Sequence, residues 1–301
     1  MEIQKMKTGS SCSGINKDST KWFNLIVSLA LTLFLFSCQH KMMPVKQSPG
    51  PYQIVWSDEF NNEGRPDSTK WDYEHGFVRN HELQWYQPEN ARCENGLLII
   101  EATKTNVANP RFREGSEDWR KNRKTIQYFS SCMITRGKSE WQYGRFEMRA
   151  KIDISAGLWP AWWTLGVGKN WPANGEIDIM EYYRKKLLAN IACLDQNGAA
   201  KWFSNKFDTD SLGGTNWADQ FHIWRMDWTE KYIELFIDNK SLNRVPLYSL
   251  VNRDGSGFNP FKQPHYMLLN LAIGGDNGGD PASTSFPAKF EVDYVRVYQI
   301  K

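Results

Sequence analysis

An all-β sandwich of antiparallel sheets is the fold class this sequence predicts. Short β-type runs recur between turn residues, several of them alternate in polarity, and helix signals are almost absent. In chain order the candidate strands are Ile54 to Phe60, Gly96 to Thr103, Gly144 to Ile152, Trp159 to Leu165, Glu176 to Tyr183, Leu188 to Leu194, Phe221 to Trp228, Tyr232 to Asp238, His265 to Ile273 and Lys289 to Tyr298. The alternation is clearest in Tyr232-Ile233-Glu234-Leu235-Phe236-Ile237 and in Phe290-Glu291-Val292-Asp293-Tyr294-Val295-Arg296-Val297-Tyr298, where one side is more polar than the other. Trp228-Thr229-Glu230-Lys231-Tyr232 reads as the tight connection of a hairpin.

What precedes these strands is not fold. Trp22 to Phe36 is an uncharged apolar run preceded by Lys5, Lys7, Lys17 and Lys21, fitting a secretory signal and short for a membrane span. Leu35-Phe36-Ser37-Cys38 then places a small residue before a cysteine at the end of the apolar core, which looks like the lipobox of bacterial lipoproteins, with Cys38 as the lipidated residue. Ordinary signal cleavage and an uncleaved anchor are the alternatives, and all three put the domain outside the cytoplasm. The expected organisation is a lipoprotein signal over 1–38, a Pro-containing tether over 39–52, and one domain over 53–301, on the cell envelope and joined to the membrane through a lipid alone.

The formal charge of +3 is small for this length and includes leader lysines, so nothing argues for a nucleic-acid partner. The domain is expected to act as a monomer. Cys93, Cys132 and Cys193 fall inside it; Cys93 and Cys132 could pair, or all three stay reduced and buried. No C-x-x-C or histidine cluster suggests structural zinc. The load of 14 Trp, 12 Tyr and 16 Phe fits an extracellular carbohydrate partner, because the C–H face of a sugar ring is apolar and stacks on aromatic rings. The longest polar stretch, Asn106 to Lys124, carries six basic residues including Arg111, Arg120 and Arg123; it reads as a solvated surface loop, or as a cleft border able to meet an anionic glycan.

Chemistry concentrates in Asn174-Gly175-Glu176-Ile177-Asp178-Ile179-Met180-Glu181-Tyr182-Tyr183. On a regular strand Glu176 and Asp178 share one face and Ile177 and Ile179 the other, which leaves Glu181 with the wrong parity. One extra residue, a β-bulge near Ile179 or Met180, restores Glu181 to the face of the other two. The two glutamates would then converge to about 5 to 6 Å, the separation of a retaining glycosidase rather than an inverting one. Asp178 between them can orient Glu176 and disfavour ionisation of Glu181. Spacing alone also allows a wet strand face or an oxygen-ligand cation site.

Glu-Ile-Asp-Ile-Met-Glu after Trp171-Pro172-Ala173-Asn174-Gly175 resembles the catalytic signature of glycoside hydrolase family 16, in the bulged form of laminarinase-, agarase- and galactanase-like members. The likeness extends over Trp56 to Phe60, Asn80 to Tyr86, Gly96 to Ala102, Tyr143 to Lys151, Gly157 to Trp163, Leu269 to Gly275 and Val292 to Tyr298. It implies a concanavalin A-like β-jelly-roll of two curved antiparallel sheets with a cleft on the concave face. Glu176 is then the nucleophile, Asp178 the assisting carboxylate and Glu181 the acid/base. Trp159, Trp163 and Trp171 fall where the family lines the glycone side of the cleft; Asn80 and Arg145 are further candidates for contacts with sugar hydroxyls. No cofactor is implied for catalysis. Many members hold a structural calcium on the convex side, and the matching positions are Glu59, Gly96 and Asp293.

The resemblance implies an endo-acting retaining β-glycosidase on a polysaccharide, with β-1,3-glucan first. β-Galactans, including β-1,3-galactan, agar- or porphyran-type chains and host O-glycans, come second. Laminarinase-like members commonly carry a histidine on the strand after the catalytic one, and Leu188-Ala189-Asn190-Ile191-Ala192-Cys193-Leu194 has none. A carbohydrate-binding relative without activity is the rival from another class, and a transglycosylase a third option; all three acidic residues of the signature are present.

Overall fold

The computed structural model describes residues 51–300. Cys38, expected to be the lipidated residue, the apolar run before it and most of the expected tether lie outside the described residues. Seventeen strands follow in chain order: β1 (Tyr52–Asp58), β2 (Asp72–Tyr73), β3 (Gln84–Tyr86), β4 (Ala91–Glu94), β5 (Leu97–Ala108), β6 (Thr125–Ser130), β7 (Cys132–Ile134), β8 (Gly144–Ile152), β9 (Leu158–Gly166), β10 (Glu176–Tyr183), β11 (Lys186–Leu194), β12 (Ala200–Asp208), β13 (His222–Trp228), β14 (Tyr232–Ile237), β15 (Lys240–Pro246), β16 (His265–Ile273) and β17 (Ala288–Ile300). A ten-stranded sheet runs β15-β14-β13-β8-β17-β5-β6-β3, with β1 added on β17 and β4 on β5. A seven-stranded sheet runs β12-β11-β10-β9-β16-β7-β2.

The ten runs read from the sequence all form strands, and β8, β10 and β16 begin and end where alternation and turn residues put them. Along β8 buried and half-buried residues alternate, with Phe146, Met148 and Ala150 turned inward and Arg145, Glu147 and Arg149 outward. They pack with Trp224 and Met226 of β13 and Val292, Val295 and Val297 of β17 against Ile177, Ile179 and Tyr182 of β10, Trp162 of β9 and Leu269 and Leu271 of β16. By contrast, β9 and β16 are buried on nearly every residue, because their second face is the floor of a cleft covered by side chains and loops.

The strands missing from the sequence reading are β2, β3, β4, β6 and β7, none longer than six residues, and two of the four sheet edges, β12 and β15. An edge strand has one neighbour and a thinly covered face, so its apolar signal is weak; β15 ends on Pro246, which an edge tolerates. One pairing departs from the antiparallel expectation: β3 and β6 run parallel, Gln84 opposite Tyr128. The hairpin at Thr229 is present, Trp228 pairing with Ile233 across it. Cys93, Cys132 and Cys193 are all buried and free. Cys93 on β4 and Cys132 on β7 belong to different sheets, so the pairing considered for them is not made.

Candidate active site

The bulge sits where parity demands it. Asp178 pairs with Trp163 of β9, but Met180 already pairs with Trp162, so two steps on β10 match one on its neighbour. On the other side Asp178 faces Asn190 of β11 and Glu181 faces Leu188, three steps against two. Ile179 and Met180 both sink into the core, and Glu181 returns to the face of Glu176 and Asp178. Just before the strand, Gly175 has φ +77°, and a Cβ there would come within 2.8 Å of Pro260 and 3.1 Å of the Phe261 ring. Only glycine lets the chain turn into β10 so closely against that loop.

The carboxyls open into a cleft of about 460 Å³ lined by Arg79, Asn80, Glu82, Trp159, Trp163, Trp171 and Trp202 among others. Each glutamate is held by an indole. Trp171 Nε1 donates to Glu176 Oε2 at 2.6 Å, and Trp159 Nε1 donates to Glu181 Oε1 at 2.8 Å. Asn190 bridges Asp178 and Glu181, its Nδ2 donating to Asp178 Oδ2 at 3.1 Å and to Glu181 Oε2 at 2.8 Å. Asp178 and Glu176 share a hydrogen bond. The loop bearing Trp171 is fastened from outside: Asn252 Nδ2 donates to Ala173 O at 2.8 Å and Gln263 Nε2 to Asn174 O at 3.0 Å.

Burial raises all three carboxyl pKa values, by unequal amounts. Asp178 goes furthest, well above the carboxylate range, because it is desolvated between Glu176 and Glu181, whose charges oppose its ionisation. It is therefore the neutral donor in its bond to Glu176. Glu176 is raised by burial but held back by Asp178, Trp171 and the charge of Arg79. Glu181 is pushed up to about 7 by burial and by the charge of Glu176, partly offset by the donors Trp159 and Asn190. Below about pH 7 Glu181 keeps its proton, as the acid of glycoside cleavage must, while the donors on Glu176 favour its carboxylate. kcat/KM should fall on the alkaline side as pH rises through about 7 and Glu181 loses its proton. It should also fall on the acid side, where Glu176 is protonated; a pH–rate profile reads both limbs.

The remaining predicted positions divide. Trp159 and Trp163 do share the cleft face, with Trp162 between them in the core. Trp163 Nε1 donates to Asn270 Oδ1 at 2.8 Å, Asn270 Nδ2 to Tyr86 OH at 3.1 Å, and Tyr86 OH to Glu82 Oε2 at 3.2 Å, a chain that fixes the indole from behind. Asn80 lies in the cleft and donates to Glu82 Oε1 at 3.3 Å. Arg145 is not there. It projects from the outer face of β8 in the other sheet, bonded to Asp227 through Nε at 2.7 Å and Nη2 at 3.0 Å and lying 4.8 Å over Tyr52. The expected sugar contact is thus corrected: the outward register of β8 turns Arg145 away from the cleft.

Glu59, Gly96 and Asp293 meet where β17 passes from β1 to β5, Asp58 opposite Val295 and Leu98 opposite Val292, with Asp293 in a bulge of β17. Both carboxylates are already engaged, Glu59 by Arg296 through two bonds of 2.9 and 2.7 Å and Asp293 by Arg149 at 2.6 Å. As arranged, both side-chain carboxylates are committed to arginines, and a calcium ion, which takes six to eight oxygens, would draw on main-chain carbonyls for part of its shell. Among the described residues no cluster of three or more His, Cys, Asp or Glu could hold a metal.

Sequence reasoning missed Arg79, Asn190 and Trp202. Arg79 pairs with Glu74 and lies 5.0 Å over Trp163, next to Glu176. The basic loop after β5 turns out to support this rim from behind. Arg120 donates through Nη2 to Val78 O at 2.9 Å, Arg123 to His81 O at 2.7 Å, and Arg111 to His75 O at 3.4 Å. These arginines bond main-chain carbonyls of the segment that carries Arg79 and Asn80.

Residues 80–296 match the model of Glycosyl hydrolases family 16. The chain belongs to that family. A β-glucanase of Rhodothermus marinus is 37% identical over 267 residues, spanning 82% of this chain and 85% of its own. The laminarinase structure from Rhodothermus marinus superposes with a TM-score of 0.66 at 35% identity, over 82% of this chain and 97% of that one. A structure solved in work on the endo-acting O-glycanases that prominent members of the human gut microbiota express to initiate mucin breakdown gives a TM-score of 0.76 at 34% identity, over 84% and 93%. The chain is a glycosyl hydrolase on a two-sheet jelly-roll, and family 16 hydrolysis needs no cofactor.

Proposed function

We propose that this family 16 hydrolase cleaves internal β-linkages of a polysaccharide with retention, Glu176 acting as nucleophile and Glu181 as acid/base. The observation that carries the reading is the one-residue bulge of β10, which gathers Glu176, Asp178 and Glu181 on one cleft face, where burial pushes Glu181 up to about 7. In the first step Glu176 attacks the anomeric carbon while Glu181 gives its proton to the departing glycosidic oxygen, leaving a covalent glycosyl-enzyme. Asp178, neutral, keeps its hydrogen bond on Glu176. In the second step the Glu181 carboxylate takes a proton from water, the resulting oxygen attacks the same carbon, and Glu176 departs as a carboxylate.

β-1,3-Glucan is the first substrate in this proposal, on the strength of the Rhodothermus glucanase and laminarinase similarity. β-Galactan or O-glycan chains are the second, favoured by the lack of a histidine on β11, the strand where laminarinase-like members commonly carry one, and by the similarity to a structure from the O-glycanase work. A product screen with the domain from Gln53 onward separates them. Laminarin, mixed-linkage glucan, β-1,3-galactan, agarose, carrageenan and mucin glycans are each incubated and the oligosaccharides sized. A ladder from laminarin supports the glucan reading, and a ladder from a galactan or mucin glycan alone replaces it with the second. Binding to one polymer without cleavage of any would overturn the hydrolytic proposal.

Calcium has no step in this reaction. For location, the reading keeps the lipid anchor at Cys38 and an envelope position, supported by the small residue and apolar core before that cysteine. Cys38→Ala should release the full chain from the membrane fraction; unchanged membrane association would point to an uncleaved anchor.

A further inference from the structure

We propose that the outward face of β12 is a second sugar platform, on the opposite side of the catalytic carboxylates from Trp163, with Trp202 as its stacking surface. This rests on the reading of the cleft as a glycan site and concerns where the rest of the polymer chain lies.

The placement follows from register. Trp202 of β12 pairs with Ala192 of β11, Ala192 with Glu176 of β10, and Glu176 with Leu165 of β9. One row therefore crosses four strands, and with neighbouring strands about 4.8 Å apart the Trp202 backbone stands about 10 Å from that of Glu176. Trp163 lies one strand from β10 on the other side, opposite Asp178. A sugar chain laid across the strands thus meets Trp163, then the carboxylates, then Trp202. Ala192, with only a methyl group, leaves the ground between Glu176 and Trp202 open.

Packing gives Trp202 no other task. Phe203 and Phe207 on the same strand turn to the core, whereas Trp202 is 45% exposed, lines the cleft, and stacks on no other ring among the described residues. A bare indole on an edge strand invites aggregation unless it has a use. The strand beneath it is anchored: Asn205 Nδ2 donates to Leu242 O at 2.7 Å and Asn243 Nδ2 to Phe203 O at 3.0 Å, tying this edge to β15 of the other sheet. A fixed aromatic face at the open end of a cleft is suited to the apolar C–H face of a pyranose. Holding the chain on both sides of the bond to be cut is also what internal cleavage requires.

The test compares two donors on wild type and Trp202→Ala. Laminarihexaose is long enough to reach past the carboxylates, whereas β-laminaribiosyl fluoride has a one-atom leaving group and places nothing on β12. Trp202→Ala should lower kcat/KM on the hexaose about tenfold and leave the fluoride unchanged, since aromatic stacking contributes roughly a factor of ten. Trp202→Phe should restore most of the loss. An equal loss on both donors, or none on either, overturns the proposal. If wild type leaves both laminari-donors intact, the glucan reading has failed, and the platform is tested by the same comparison with a β-1,3-galacto-oligosaccharide and its glycosyl fluoride.

Discussion

Glu176→Ala should reduce turnover on the order of 10⁴-fold or more and leave the fold intact, because it deletes the group that forms the covalent bond. Glu176 opens to the cleft, and its removal leaves Trp171 Nε1 facing water there rather than an orphaned donor in the core. Circular dichroism and thermal unfolding should match the unaltered chain. Azide should restore part of the rate by attacking the anomeric carbon in place of the missing carboxylate, giving a glycosyl azide of inverted configuration. Glu181→Ala should cost about 10²- to 10⁴-fold, the usual worth of a general acid, and should lose the alkaline limb of the pH profile. Full activity in Glu176→Ala would end the mechanism.

Asp178→Ala should lower kcat about 10²-fold, comparable to removing one preorganised donor from a reacting centre. The cause lies in its protonation. Squeezed between Glu176 and Glu181, Asp178 is held neutral and donates to Glu176, which lowers the Glu176 pKa. Without that donor the Glu176 pKa rises, a larger fraction is protonated at any given pH, and the acid limb of kcat/KM moves to higher pH. A residue that merely filled space would change the rate without moving that limb. Thermal stability should not fall, because a desolvated carboxyl is a cost to the folded state rather than a support. An unmoved acid limb would show that Asp178 does not act through Glu176.

The parts of this site legible in the sequence are those fixed by local periodicity. Alternation put Ile177 and Ile179 in the core, and the wrong parity of Glu181 required the bulge that β10 contains. The same rule put Trp159 and Trp163 on one face with Trp162 behind them. What alternation cannot tell is which sheet a strand joins. Arg145 alternates on β8 as regularly as Trp163 does on β9, yet β8 lies in the ten-stranded sheet and Arg145 points away from the sugar. Asn190 carried a signal that went unused: an amide inside Leu187-Leu188-Ala189-Asn190-Ile191-Ala192 is a polar side chain buried on a sheet, and such a group needs partners. Its partners proved to be Asp178 and Glu181. Arg79 had no comparable mark, since its direction is set by Glu74 and Trp163, contacts made only in the folded chain.

Cleavage is expected to pass through a glycosyl-enzyme on Glu176. The stereochemistry of the first product tests this most directly. The polymer that the domain cuts is incubated in an NMR tube and the newly formed reducing ends are read by ¹H spectra before mutarotation. β-Anomer appearing first and relaxing towards the equilibrium mixture is the predicted result, whereas α-anomer appearing first would mean direct attack by water and would contradict a nucleophilic Glu176.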